Sequence, residues 1–170
     1  MTRAAGFTLV EVVIALSIFS LVFGAAMTLY QQTVTSWHKE NARTDVQENL
    51  RLGLESMSRD LRSAVGFFQA GSSSVKFALG DGNIVQYYLE GSRLVRQVGG
   101  VPTPIANLVV TLTFSYFDEN NSLLPIQQGQ VGQGDLGKIC RVGIVLAGSK
   151  GTDPVIRMTT SVTVRAVATH

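Results

Sequence analysis

Cysteine, histidine and proline are scarce in this sequence, and each shortage excludes a class of structure or chemistry. Cys140 is the only cysteine, so the chain cannot form an internal disulfide or a cysteine-based metal cluster. The only histidines are His38 and His170, which support no Cys/His or Ser/His/Asp catalytic arrangement. No proline precedes Pro102, so no proline breaks a helix in the first half of the chain. We therefore predict a protein that is not an enzyme and that has no cofactor and no bound metal.

Charge is also sparse and is nearly balanced. The 170 residues include 14 Lys and Arg against 12 Asp and Glu, which gives a formal net charge of +2. No block of like charge indicates an extended surface for nucleic acid or for an acidic partner. The length suits one domain plus an anchor.

An apolar stretch without any charge runs from Val12 to Tyr30. At about 1.5 Å per residue, a helix of this length reaches about the thickness of the hydrocarbon core of a bilayer, so we predict one membrane-spanning helix. Arg3 and the terminal amine place the N-terminus on the cytoplasmic side. A secretory signal peptide cut near Ala26 is the alternative, although the apolar run is longer than such peptides have.

An acidic residue, Glu11, stands at the start of this run, where a carboxylate in lipid is unfavourable. The surrounding sequence, "AAGFTLVEVVIAL", resembles the N-terminal signature of the type IV pilin superfamily. The resemblance implies that a prepilin peptidase removes a leader from Met1 to Gly6 and that the mature chain begins at an N-methylated Phe7. It also implies that Glu11 pairs with the Phe7 amine of a neighbouring subunit during assembly. The alternative is that Glu11 only extends its side chain to the membrane interface.

Past Tyr30 the sequence becomes amphipathic. Apolar residues three or four positions apart form one stripe along a helix, namely Val46, Leu50, Leu54, Met57, Leu61 and Val65. We predict one nearly continuous helix from about Thr8 to about Ala64, whose first half lies in lipid and whose second half packs on a domain. The expected segments are the leader 1–6, the transmembrane and filament-core helix 7–30, the amphipathic helix 31–65 and the globular domain 66–170.

The rest of the sequence has the pattern of strands and turns. We predict six strands, at Ser74–Leu79, Asn83–Glu90, Arg93–Val98, Asn107–Asp118, Lys138–Gly148 and Pro154–Val167. The glycines of 80–82 and 91–92 favour tight turns between the first three strands. We interpret 99–104 as a connection and 119–137 as an irregular segment. One long helix followed by these strands predicts an α+β fold with a mainly antiparallel sheet.

This layout is similar to the architecture of pilins and pseudopilins. The segments Glu48–Ala64 and Thr113–Leu124 resemble the J-type minor pseudopilins of type II secretion and the W-type minor pilins of type IV pili. Two departures argue against a major pilin. Thr28 stands where many major pilins have a proline, and Cys140 alone cannot close the disulfide loop that many of them have.

Two motifs resemble ligand-binding loops but lack the required context. Gly132 to Lys138 fits a phosphate-binding pattern, yet it precedes a strand pattern instead of a helix, so we predict a flexible glycine loop. Asp118 to Ser122 offers oxygens as a calcium loop does, but Leu123 and Gly129 replace the residues that an EF-hand needs. We predict a polar turn there, and we interpret Cys140 as a small residue within a strand.

The resemblance implies a minor pilin or pseudopilin of the cytoplasmic (inner) membrane, which primes a type II secretion pseudopilus or a type IV pilus or lies near its tip. Its implied partners are other minor and major pilins or pseudopilins, prepilin peptidase and the membrane. A competence-type minor pilin that binds DNA is an alternative, but phosphate contacts need clustered cations. The candidate cations are dispersed along the sequence and could form a cluster only in the folded domain. They are Arg93, Arg96, Lys138, Arg141, Lys150, Arg157 and Arg165. A domain released by signal peptidase is the third hypothesis.

Overall fold

A computed structural model of the chain describes residues 8–151 and 153–164, with the backbone alone described for 33–42. The chain divides into two compact units, Met1–Asn41 and Ala42–His170. Helix α1 spans Leu9–Arg62, so each unit contains a part of it.

In the first unit, α1 presents apolar side chains to its surroundings. Within the described residues, one stretch is long and apolar enough to cross a membrane, Leu9–Gln32, with a mean hydropathy of 2.4. Its hydroxyl groups bond to carbonyl oxygens one turn earlier: Ser17 Oγ to Val13 O at 2.8 Å, Ser20 Oγ to Leu16 O at 2.7 Å and Thr28 Oγ1 to Gly24 O at 2.9 Å. Because the helix satisfies these hydroxyls itself, they need no water inside a bilayer.

The second unit combines the end of α1 with strands. Within the described part of this unit the strands are β1 (Ala64–Ala70), β2 (Val75–Leu79), β3 (Ile84–Glu90), β4 (Arg93–Val98), β5 (Val101–Ala106), β6 (Val109–Phe117), β7 (Ile126–Gln127), β8 (Gln130–Val131), β9 (Arg141–Gly148) and β10 (Ile156–Thr163). A 3-10 helix, Gln133–Lys138, lies between β8 and β9.

The strands form antiparallel sheets. A five-stranded sheet has the order β1-β2-β3-β4-β5, a three-stranded sheet has the order β10-β9-β6, and β7 pairs with β8. This arrangement of one long helix and antiparallel sheets confirms the predicted α+β, pilin-like fold.

The predicted apolar stripe forms the helical side of the core. Its members Val46, Leu50, Leu54, Met57 and Leu61 are buried. They join one hydrophobic cluster with strand residues that include Phe77, Tyr87, Leu94, Phe114, Ile144 and Leu146. Full burial of a large apolar side chain contributes about 1.5–3 kcal/mol, so this stripe is the main attachment of α1 within the second unit.

Gly53 lets α1 approach both larger sheets closely. A Cβ atom at this position would lie 2.9 Å from Leu94 Cδ2 on β4 and 3.1 Å from Leu146 Cδ2 on β9. Glycine inside a helix is unfavourable by about 0.5–1 kcal/mol relative to alanine. The close packing of two sheets on one helix explains why a glycine is present here.

The end of α1 differs from the prediction. The helix ends at Arg62 instead of Ala64, because both the backbone N–H and the hydroxyl of Ser63 donate to Asp60 O, at 3.1 and 2.9 Å. The chain then enters β1, an unpredicted strand that pairs with β2. Val65 therefore lies on β1 and is 43% exposed, so it does not continue the stripe.

The segment 99–104 is a hairpin and not the expected connection. Gly99 and Gly100 have φ angles of +57° and +90°, and positive φ at both central residues is the requirement of a two-residue type I′ turn. This turn joins β4 to β5. Pro102 and Pro104 are compatible with β5 because it is an edge strand, where missing N–H groups are tolerated.

The segment 119–137 is also more regular than predicted. It contains the hairpin of β7 and β8 and most of the 3-10 helix. Cys140 directly precedes β9 instead of lying within it. The three later predicted strands are shorter than expected at one or both ends, and residues 165–167 of the last one lie outside the described residues.

Candidate assembly site

The first turn of α1 carries the acidic residue that the sequence singles out. Thr8 directly precedes the helix, and its Oγ1 accepts a hydrogen bond from the backbone N–H of Glu11 at 3.3 Å. The N–H of Val12 donates to Thr8 O at 3.2 Å. Thr8 is therefore the N-cap of α1, and Glu11 stands at the third helical position, which is the Thr-x-x-Glu spacing of a capping box.

The position of Glu11 has two opposing electrostatic effects. A carboxylate in the first turn is stabilised by the helix dipole, typically by about 0.3–1 kcal/mol. Placing a charged side chain at the centre of a bilayer is unfavourable by about 2.5–3.5 kcal/mol, and by less toward the interface. Among the described residues no ion pair involves Glu11. The dipole alone does not offset deep burial, so a carboxylate here gains from a cationic partner.

The other predicted processing residues cannot be placed beside Glu11. Gly6 and Phe7, the expected sites of cleavage and N-methylation, lie outside the described residues. The side chain of His38 and the whole of His170 also lie outside them. The pairing of Glu11 with the Phe7 amine therefore stays a prediction.

A buried polar cluster holds the last turns of α1 against the five-stranded sheet. Asp60 is 9% exposed, and its Oδ2 accepts hydrogen bonds from Tyr87 Oη on β3 and Arg96 Nε on β4, both at 2.7 Å. Ser56 Oγ lies 3.1 Å from Tyr87 Oη. Burial raises the pKa of the Tyr87 phenol, and the hydrogen bond to Asp60 raises the pKa of the Arg96 guanidinium. Both groups therefore stay protonated and can donate to Asp60.

Four of the seven cations considered for DNA binding contact other groups within the chain. Three form ion pairs at 2.7 Å: Arg96 with Asp60, Lys138 with Asp135, and Lys150 with Asp45. The guanidinium of Arg141 lies over the ring of Phe117, 4.1 Å from its centroid. A nearby carboxylate lowers the positive potential that phosphate contacts require. Arg165 lies outside the described residues.

The two loops that resemble ligand sites take other conformations. Gln133–Lys138 is a 3-10 helix instead of the predicted flexible loop, and β9 follows it, so no α-helix N-terminus faces a phosphate there. Asp118 Oδ1 accepts a hydrogen bond from the N–H of Ser122 at 2.8 Å, which confirms the polar turn. Within the described residues, no group of three or more His, Cys, Asp or Glu could hold a metal ion.

Comparison with known proteins supports the interpretation of the N-terminus. Residues 1–27 match the family described as the prokaryotic N-terminal methylation motif, which is the signature of type IV pilins and pseudopilins. Comparison with curated proteins gave no significant match. The matched motif supports a pilin-like or pseudopilin precursor, a structural class of protein. The motif and the apolar helix together fit a pilin that is anchored in the inner membrane and assembled in a filament.

Two features of the candidate site and its supporting cluster were not predicted from the sequence. The N-cap at Thr8 has a local sequence signal, the Thr-x-x-Glu spacing from Thr8 to Glu11. The Asp60 cluster had no local signal, since Tyr87 and Arg96 lie 27 and 36 residues further along the chain.

Proposed function

We propose that this protein is a minor pilin or pseudopilin subunit that primes a filament or lies near its tip, in a type II secretion pseudopilus or a type IV pilus. The observation that carries the proposal is the match of residues 1–27 to the methylation motif. The apolar stretch Leu9–Gln32 directly follows the expected cleavage site. This position suits a helix that first anchors the subunit in the membrane and later packs in the filament.

In this proposal each segment of the chain has one role. Prepilin peptidase removes residues 1–6, and Phe7 is then N-methylated. Residues 7–30 span the inner membrane with the N-terminus inside, because Arg3 and the terminal amine favour the cytoplasmic side. The same helix later forms part of the filament core. Residues 31–65 connect it to the globular domain 66–170, which lies outside the membrane.

Glu11 provides the pairing that sets the register between subunits. After cleavage, the amine of Phe7 is a new positive charge at the start of the helix. At about 4 Å and an effective dielectric constant near 20, a carboxylate and an amine from neighbouring subunits attract by about 4 kcal/mol before desolvation is subtracted. This exceeds the contribution of about 0.3–1 kcal/mol from the helix dipole. Because the pairing needs a subunit above, the protein is not the outermost cap.

Ion pairs within the chain engage three of the cations that the DNA-binding alternative would need. Arg96, Lys138 and Lys150 each pair with a carboxylate of the same chain, which leaves fewer free cations for the phosphate contacts of a DNA-uptake pilin. The partners we propose are other minor and major subunits of the filament. The proposal assigns no enzymatic activity.

Processing of a Gly6→Leu variant tests this function. In cells that contain prepilin peptidase, we expect the wild type to begin at an N-methylated Phe7 and Gly6→Leu to remain uncut in the membrane. Ala4→Leu, the same kind of change elsewhere in the leader, should be cut normally. Mass spectrometry of the intact protein measures both outcomes. A mature N-terminus near Ala26 would instead indicate signal peptidase, and normal cutting of Gly6→Leu would contradict the proposal.

A further inference from the structure

A groove lies between the second part of α1 and the strand β10. It consists of two adjoining cavities of about 750 and 740 Å³, which share Arg51, Glu55 and Met158. Strand β10 is at the edge of the three-stranded sheet, since among the described strands it pairs only with β9. An edge strand has a row of unpaired N–H and C=O groups, which can pair with another extended chain. We call this region the β10 groove.

The shape of the β10 groove suits an extended segment. Strand β10 has eight residues, which corresponds to a length of about 26 Å at about 3.3 Å per residue. Its Ile156 and Met158 are partly buried and pack against the core, so they form an apolar floor. Leu52 on α1 is 52% exposed and lines the same groove. An added strand would cover these apolar side chains while it pairs with β10.

The β10 groove has an excess of positive charge. It is lined by the four arginines Arg51, Arg59, Arg62 and Arg157 and by the two glutamates Glu48 and Glu55. Arg51 is paired with Glu55 at 2.8 Å. Arg59, Arg62 and Arg157 are exposed and take part in no ion pair among the described residues. The helix dipole favours Arg59 and Arg62 near the end of α1, but it does not account for Arg157 on the facing strand.

We propose that the β10 groove binds an extended acidic segment of a neighbouring subunit, which adds to β10 as a further strand. Backbone hydrogen bonds along the edge provide affinity, and the unpaired arginines select acidic side chains. This inference rests on the proposed function, because it takes the partner to be another pilin-like subunit. It assigns to the globular unit a contact that is separate from the pairing of Glu11.

A defined peptide tests the chemistry of the groove independently of any filament. The probe is an eight-residue peptide, the length of β10, in which valine and glutamate alternate, compared with one in which lysine replaces glutamate. With the full chain in detergent micelles, we expect the glutamate peptide to bind and to slow hydrogen exchange of the β10 amides. Equal binding of the lysine peptide, or binding without protection of β10, would overturn the proposal.

Charge-reversal variants test whether the glutamate peptide binds at the arginines of the β10 groove. The double variant Arg59→Glu/Arg62→Glu replaces two attractions with repulsions, so we expect the glutamate peptide to bind roughly tenfold more weakly. Arg93→Glu is the control for a charge reversal outside the site, because Arg93 is exposed at the start of β4 and does not line the β10 groove. The proposal is overturned if both variants lose affinity equally or if neither does.

Photocrosslinking in cells identifies the partner. A photoreactive residue at Thr159, which is exposed on β10 and lines the groove, should crosslink to an acidic extended segment of another subunit that carries the methylation motif. A crosslink between two copies of this chain would overturn the proposal in favour of self-pairing. Cleavage after Gly6 is measured in the same cells. If cleavage fails in the wild type, the proposed function fails, while the peptide experiment still decides on the groove.

Discussion

Tyr87 donates a hydrogen bond from its phenol to Oδ2 of Asp60 at 2.7 Å, and this bond connects β3 with the last turns of α1. Arg96 on β4 donates to the same oxygen, also at 2.7 Å. Because Asp60 is buried, it depends on these two donors, and they reach it only when α1 lies in one register on the five-stranded sheet. A shift of one residue would leave several polar groups buried without partners, which is unfavourable. The cluster therefore specifies where α1 lies within the second unit.

Removal of the shared acceptor should destabilise the globular unit strongly. Asp60→Ala leaves the Tyr87 phenol and the Arg96 guanidinium without their partner, so we expect a loss of about 2–4 kcal/mol in the free energy of unfolding. Tyr87→Phe should lose about 1 kcal/mol. The double variant should lose less than the sum, since both changes affect one cluster. Denaturant unfolding followed by circular dichroism measures all three. Strict additivity would show that the two residues act separately.

Removal of the apolar N-terminal stretch should give a soluble monomer. A chain that begins at Thr35 lacks Leu9–Gln32 but keeps the buried stripe from Val46 to Leu61, which covers the sheets. Gel filtration without detergent checks this expectation. A chain that begins after Leu61 is the control, and it should aggregate because the apolar faces of the sheets are then uncovered.

A pair of neighbouring leucines distinguishes the buried from the exposed side of α1. Leu54 is 7% exposed and Leu52 is 52% exposed. Leu54→Asp places a carboxylate in the core, so we expect a loss of about 3–5 kcal/mol in stability. Leu52→Asp keeps its carboxylate in water and should change the melting temperature little. Equal melting of Leu54→Asp and the wild type would mean that the stripe does not attach the helix to the sheets.

Two tyrosines should make the protein sensitive to alkali. Burial raises the pKa of both Tyr87 and Tyr116 above the ordinary value of about 10. As pH rises past about 10, the unfolded chain releases these protons first, so stability is complete below this pH and decreases above it. The variant Tyr87→Phe/Tyr116→Phe should therefore lose less stability than the wild type between about pH 9 and pH 11. Parallel losses in the two proteins would contradict this account.

The success of sequence-based prediction depended on how local each signal was. The spacing from Val46 to Leu61 alone predicted a buried helical face, because periodicity is a property of neighbouring residues. The same periodicity continues to Val65, so it predicted helix where β1 begins. The Gly99-Gly100 step is typical of a hairpin, but Pro102 and Pro104 argued against a strand after it. Proline is tolerated in β5 because β5 is an edge strand, and that position depends on the whole sheet. The Asp60 cluster joins distant parts of the chain, and no local pattern reports such contacts.

The role of Glu11 can be separated into its charge and the capping-box spacing that it forms with Thr8. Glu11→Val removes both, and it leaves a more apolar helix, so we expect membrane insertion and leader cleavage to be unchanged or slightly improved. Recovery of the protein with its filament partners should be strongly reduced, because the Phe7 amine of the neighbouring subunit loses its counter-charge. Co-purification from detergent extracts, beside a gel that resolves precursor from mature protein, measures both effects.

Two further variants decide which property of Glu11 matters. Glu11→Gln preserves the capping-box spacing, as Thr-x-x-Gln, but has no charge. If Glu11 pairs with an amine, this variant should show poor recovery with the filament partners. Thr8→Ala removes the Oγ1 that accepts the Glu11 N–H and weakens the helix start by about 0.5–2 kcal/mol, but it keeps the carboxylate, so recovery should stay near that of the wild type. The opposite ranking, with Glu11→Gln normal and Thr8→Ala defective, would identify capping as the function. Normal recovery of Glu11→Val and both further variants would leave Glu11 as a residue that only extends its side chain to the membrane interface.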